Sequence, residues 1–163
     1  DNDNALAGEE ATDYLYEMGH RRIAYFGVSN AMLFSAERKR GHQMSLLKHG
    51  ITPREGDCVE IDTLNDSYEP ALKALLTAPD RPTAVLVSDD ILAVVLEQFC
   101  SKLGLRIPKD LSIVSFNNSL FSRITNSSYG KAAAHRRRSD LIAKNHPRSF
   151  LMNGLDLVRS YRG

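Results

Sequence analysis

The chain has 163 residues, 42% of them hydrophobic and 25% charged, with a formal net charge of +1. That balance suits one globular domain able to bury a core without metals or disulfides, and it excludes a disordered or strongly polyionic chain. No run approaches the ~18 apolar residues needed to cross a bilayer, and no partner membrane is expected.

Asp1-Asn2-Asp3-Asn4 carries neither a basic n-region nor an apolar h-region, so no signal peptide is visible. The absence of an initiator Met leads to the expectation of a fragment. Ala5 to Met18 has helical spacing, with Asn4 available as N-cap and Gly19 as the residue that ends it. Ile23 to Val28 is an apolar run of strand length, and Ser35 to His49 a second helix closed by Gly50. Val59 to Ile61 reads as a short strand nearer a sheet edge, and Tyr68 to Leu76 as a third helix. Thr83 to Val87 is a continuous apolar strand, the pattern expected when helices cover both faces. Asp89 to Leu103 is the fourth helix.

The stretch from Leu103 to Asn118 reads as helix end, tight turn and buried strand, Leu111 to Phe116, with polar residues at its carboxyl end. Strands alternating with helices of this length predict right-handed βαβ units, an α/β fold with a parallel sheet and helices on both faces, over residues 1–125. Beyond Thr125 the alternation stops. Residues 1–125 hold 13 Lys+Arg against 18 Asp+Glu, whereas residues 126–163 hold 8 against 2. Such a reversal marks a composition boundary. Residues 126–163 are expected to be a divergent basic tail, non-native or poorly ordered, with no strand clearly continuing the sheet; Leu151 to Val158 offers at most one more short element.

In an open α/β sheet, ligands bind at the carboxyl ends of the strands. That rule gathers Ser29 to Arg38, Asp62 to Asn65, Ser88-Asp89-Asp90 and Asn117-Asn118 on one rim. Short carboxylates and amides that accept from vicinal hydroxyls, together with the Arg38 fork, suit a sugar or another polyhydroxylated ligand. Asp89 and Asn117 also fit simple capping of the helix and turn that follow them. Enzyme signatures are absent: no glycine-rich phosphate loop, no nucleophile elbow and no His-Glu-x-x-His pair. The five histidines show no metal-ligand spacing, so neither metal nor cofactor is expected. His20 and His49 stand beside helix ends, and His42 is expected on a solvated helix face. Cys58 and Cys100 read as buried thiols in a reducing, cytoplasmic setting. Arg136-Arg137-Arg138 lacks the interleaved aromatics of a nucleic-acid surface.

Taken together, Asp1–Gly8, Gly19–Gly27, Ser35–Gly41, Arg81–Val85, Ser88–Ala93 and Leu105–Val114 resemble the effector-binding domain of the LacI/GalR family of bacterial transcription regulators. Phe116 to Thr125 looks most like the maltose-repressor branch. The resemblance implies a two-lobed core similar to periplasmic sugar-binding proteins, preceded by a helix-turn-helix and a hinge. On that alignment the head, the hinge and most of the first lobe precede Asp1, so operator DNA would be reached only through a missing N-terminal domain. The ligand that the resemblance implies is a sugar or phosphosugar, maltose-like on the branch named above, held by Arg38 and Asp89. The family's acidic residue after the last strand is Asn117 here, and its aromatic stacking position falls at Thr63 or Leu64, with Phe34 as a substitute apolar wall. Val94 and Ile124 match the family's dimer contacts, which implies a homodimer. Competing readings are a sugar-binding transport receptor of the same fold and an α/β enzyme using Asp89 and Asp90.

Overall fold

Helices and strands alternate as the sequence predicts. A computed structural model describes residues 4–29, 33–61, 68–117, 149–152 and 155–158; for Asn117 and the last two stretches the description is of backbone. The elements are α1 (Asn4–Glu17), β1 (Ile23–Val28), α2 (Leu33–Lys48), β2 (Cys58–Ile61), α3 (Glu69–Thr77), β3 (Ala84–Val87), α4 (Asp90–Lys102), β4 (Ser112–Asn117), β5 (Ser149–Met152) and β6 (Leu155–Val158). They fall into two units, Asp1–Ser88 and Asp89–Gly163.

In the first unit β1 is the middle of three parallel strands. It pairs with β2 in the register Tyr25↔Cys58 to Val28↔Ile61, and with β3 in the register Ile23↔Ala84 to Phe26↔Val87. Its residues Ile23 to Gly27 are all buried, as a strand covered on both faces must be. Neighbouring side chains on a strand point to opposite faces, and β1 shows what covers each. Tyr25 faces α2, donating its hydroxyl to the Ser35 carbonyl at 2.9 Å, while Phe26 meets the ring of Tyr68, the residue before α3. Helices therefore lie on both faces, and the α/β fold class expected from the sequence is the one observed.

Helices α1 and α2 cross almost backbone to backbone. A Cβ on Gly41 would stand 1.9 Å from the Ala5 carbonyl oxygen, and one on Gly8 only 2.3 Å from that of Arg38. Two glycines facing in this way let the helices approach closer than any side chain would permit. Polar contacts then lock the seam. Thr12 donates to the Gly8 carbonyl at 2.8 Å and meets His42 Nδ1 at 3.0 Å. Asp13 receives Ser45 at 2.6 Å, Lys48 at 2.6 Å and His49 at 2.8 Å. Burial pushes the Asp13 carboxyl up, but these three hydrogen bonds outweigh it and hold the group below its usual value. Glycines at positive φ end the helices where expected, Gly19 after α1 and Gly50 after α2.

The second unit opens with α4, whose Leu92, Ala93, Leu96, Phe99 and Cys100 form its buried face. Gly104 at φ +73° closes it, and Leu105 N–H returns to the Cys100 carbonyl at 2.9 Å. The expectation that no strand in residues 126–163 clearly continues the sheet is corrected here. β6 pairs antiparallel with β4 (Ser115↔Val158, Asn117↔Asp156), and β5 pairs with β6 (Ser149↔Val158, Met152↔Leu155). The reason lies in the local sequence. Asn153-Gly154 stands between two apolar runs, the strongest short-range signal for a hairpin, and the basic composition around it masks that signal.

Candidate functional site

The carboxyl ends of the first unit's strands are laced by backbone bonds: Ser29 N–H to the Ile61 carbonyl at 2.8 Å and Ser88 N–H to that of Phe26 at 2.9 Å. Helix α2 starts on this edge. Phe34 and Arg38 lie four residues apart, hence on one face, with the guanidinium carbon 4.9 Å from the ring centroid. Arg38 is 0% exposed. Its Nη1 donates to the Ser88 carbonyl at 2.6 Å and its Nε to Asn4 Oδ1 at 3.1 Å. Asn4, expected to cap α1, is its first residue and holds Arg38 instead.

Burying a guanidinium costs several kcal/mol unless fixed dipoles replace its water. Here a backbone carbonyl, an amide oxygen and an aromatic face do so. The result is a rigid cation delivered to the carboxyl end of β3, where the rule for open sheets places a ligand. Its rigidity follows from α1, α2 and Ser88, the residue after β3, each contributing a contact.

The other predicted residues divide as follows. Phe34 and Arg38 are brought together in the first unit. Asp89 belongs to the second, where it is the N-cap of α4, accepting Leu92 N–H on Oδ1 at 3.0 Å. The sequence allows both capping and ligand binding for Asp89, and the capping role is observed. Asp90 is the next residue, already within α4. Asn117 ends β4 with its backbone paired to Asp156, while its side chain lies outside the described residues. Thr63, Leu64 and Ile124 lie outside the described residues as well. Val94 stands on α4 at 51% exposure, one turn from the equally exposed Ile91.

His42 is not on a solvated face. It is 4% exposed, wedged between Thr12 and the ring of Tyr25, whose centroid is 5.9 Å away. Burial pushes its imidazole down to about 4, so the ring is neutral at physiological pH. The same burial raises the Tyr25 phenol, which stays protonated. His20 bonds Thr83 at 2.7 Å and His49 stacks on Tyr16 at 3.8 Å, so both serve the framework beside their helix ends. Among the described residues no three His, Cys, Asp or Glu side chains are grouped to hold a metal, and no helix is long and apolar enough to cross a membrane.

Against known proteins, the model of the periplasmic binding protein-like domain matches residues 12–133. The HTH-type transcriptional repressor CytR of Escherichia coli K12 is 33% identical over 116 residues, 71% of this chain and 34% of its own. The chain thus spans about a third of the length of such curated relatives. Among solved structures, a LacI family transcriptional regulator from Mycobacterium smegmatis is 32% identical with a TM-score of 0.65, over 78% of this chain and 46% of the other. The transcriptional regulator CelR, solved as a cellobiose complex, is 29% identical with a TM-score of 0.62, over 71% and 40%.

Proposed function

This chain belongs to the periplasmic binding protein-like domain family, and from that premise we propose that it is the sugar-sensing lobe of a LacI-type repressor. Residues 1–125 form the lobe, and residues 126–163 a segment of separate composition. The observation that carries this reading is Arg38, a buried cation held rigid at the carboxyl edge between Phe34, Asn4 and Ser88. Fully buried, Arg38 holds the Ser88 carbonyl and the Phe34 ring in place at that edge, and Phe34 offers an apolar face to a sugar ring. The Thr63-Leu64 position is proposed with Phe34 and Arg38, and Asp89 and Asn117 of the second unit are ligand-binding candidates in their own right. The cellobiose complex of CelR supports a disaccharide, with maltose the nearest alternative given the resemblance of Phe116 to Thr125 to the maltose-repressor branch.

The parent protein works in the cytoplasm as a homodimer through Val94 and Ile124, with operator DNA gripped by a helix-turn-helix that lies outside these residues. It binds rather than turns over its ligand; the repressors among its relatives support that. Ligand acts by favouring one arrangement of the parent's lobes, which requires unequal affinity for the two.

Calorimetry of the chain with cellobiose, maltose, their phosphates and monosaccharides tests this. At least one saccharide binds, Phe34→Ala weakens it about tenfold, and Arg38→Ala abolishes it. A flat titration with the whole panel, or equal binding by both variants, sinks the proposal.

A further inference from the structure

The first unit has a second hollow at the opposite end of its sheet, where β1 and β2 begin. It is a cavity of about 300 Å³, near the lower bound for small-molecule sites. Leu46, Ile51 and Pro53 give it an apolar wall, and the imidazole of His42 and thiol of Cys58 also line it. Four cations surround it, Arg21, Arg22, Lys39 and Arg54, against one lining carboxylate, Asp57.

The pairing of these charges decides what the cavity can take. Asp57 is spent on Arg22, receiving Nε at 3.0 Å and Nη2 at 2.6 Å in a forked pair. Arg54 is held by Asp80 at 3.1 Å, with the two side chains 59% and 71% exposed. An ion pair so exposed contributes about 0–1 kcal/mol, so a better-placed anion displaces it cheaply. Lys39 pairs with Glu60 at 2.8 Å on the side of β2. Arg21 is fixed over the Tyr16 ring at 3.8 Å and donates to the Tyr16 carbonyl. Asp80 also takes Arg22 at 2.9 Å, so the four cations face three carboxylates, Asp57, Glu60 and Asp80, and the mouth keeps one surplus positive charge above an apolar wall.

We propose that this amino-edge cavity binds a small organic anion, one carboxylate or phosphate on an apolar body, with Arg54 and Lys39 as the groups that meet the charge. The apolar body lies against Leu46, Ile51 and Pro53. The site is separate from the carboxyl edge and does not rest on the sugar reading. Because Lys39 and His42 belong to α2, occupancy bears on the helix that carries Arg38.

The test is a nuclear magnetic resonance titration of the labelled chain at pH 7 with phenyl phosphate, benzoate and, as neutral control, phenol. Phenyl phosphate, benzoate or both saturably shift the amides of Gln43, Thr52 and Cys58 and the His42 ring; whichever binds tighter identifies the anionic group. Phenol binds about tenfold more weakly. Lys39→Gln with Arg54→Gln weakens the anion at least about tenfold, and Thr52→Phe, at an exposed position on the mouth, blocks it while the rest of the spectrum is kept. Arg106→Gln, a surface arginine engaged with Asp110, changes nothing. Equal shifts by phenol, non-saturating shifts spread over exposed arginines, or unchanged binding by the charge variants would overturn the proposal. A saccharide effect at Ser88 and Arg38 is read from different resonances, so the two sites stand or fall separately.

Discussion

His42 sits in the α1–α2 seam with Thr12 at 3.0 Å and almost no solvent. Its burial moves the imidazole from 6.5 to about 4, with the Asp57 charge and the Ile23 backbone pulling weakly the other way. Above pH 6.5 the ring is neutral in folded and unfolded chains alike and contributes nothing to pH dependence. Between 6.5 and 4 the unfolded chain takes up a proton that the folded chain refuses, so stability falls with pH. Each pH unit of that gap is worth about 1.4 kcal/mol. The gap of roughly 2.5 units therefore costs about 3 kcal/mol by pH 4, of which about 2 kcal/mol is lost already at pH 5. Urea unfolding followed by circular dichroism at pH 7 and pH 5 measures this, with His42→Gln as the reference that keeps hydrogen-bonding groups but cannot titrate. The parent chain should lose about 2 kcal/mol more than His42→Gln between the two pH values. Parallel losses would refute the assignment of a buried neutral imidazole.

Gly41→Ala forces a methyl to 1.9 Å from the Ala5 carbonyl oxygen, and a denaturation curve should show a loss of about 3 kcal/mol or more. Gly56→Ala, where nothing lies within 4 Å, stays within about 0.5 kcal/mol of the parent in the same assay. Asp89→Ala removes the α4 cap and lowers stability by about 1 kcal/mol, whereas Asp89→Ser retains most of it. Val94→Asp, at a half-exposed position, leaves the melting curve unchanged but shifts sedimentation of any dimer toward monomer.

What could be read from the sequence follows the polarity of each buried face. β1 and β3 are apolar on both sides, so Ile23 to Val28 and Thr83 to Val87 announce themselves, and with them the α/β fold. Helix α2 hides its inner face because that face is polar: Ser35, Arg38, Gly41, His42 and Ser45, with Leu46 as its one large apolar member. Hydrophobic periodicity cannot see such a stripe, which is why His42 is misplaced on solvent by pattern alone. Arg38 stands out in the sequence as a site candidate, whereas its support by Asn4 and Ser88 depends on contacts between residues 34 and 50 positions apart. The β5–β6 hairpin had a local signal in Asn153-Gly154, outweighed by the charge reversal around it. The amino-edge cavity joins residues from Arg21 to Cys58 that no single motif links.

The sugar-sensing proposal stands or falls with Arg38 at the carboxyl edge. The side-chain Nε–H resonance of Arg38 and the amides of Ser29 and Ser88 are followed by nuclear magnetic resonance as cellobiose and then maltose are added. One disaccharide is expected to shift these positions saturably, and the shifts to be lost in Arg38→Lys, which keeps the charge but not the fork. Shifts confined to other parts of the chain, or identical titrations of parent and Arg38→Lys, would contradict it.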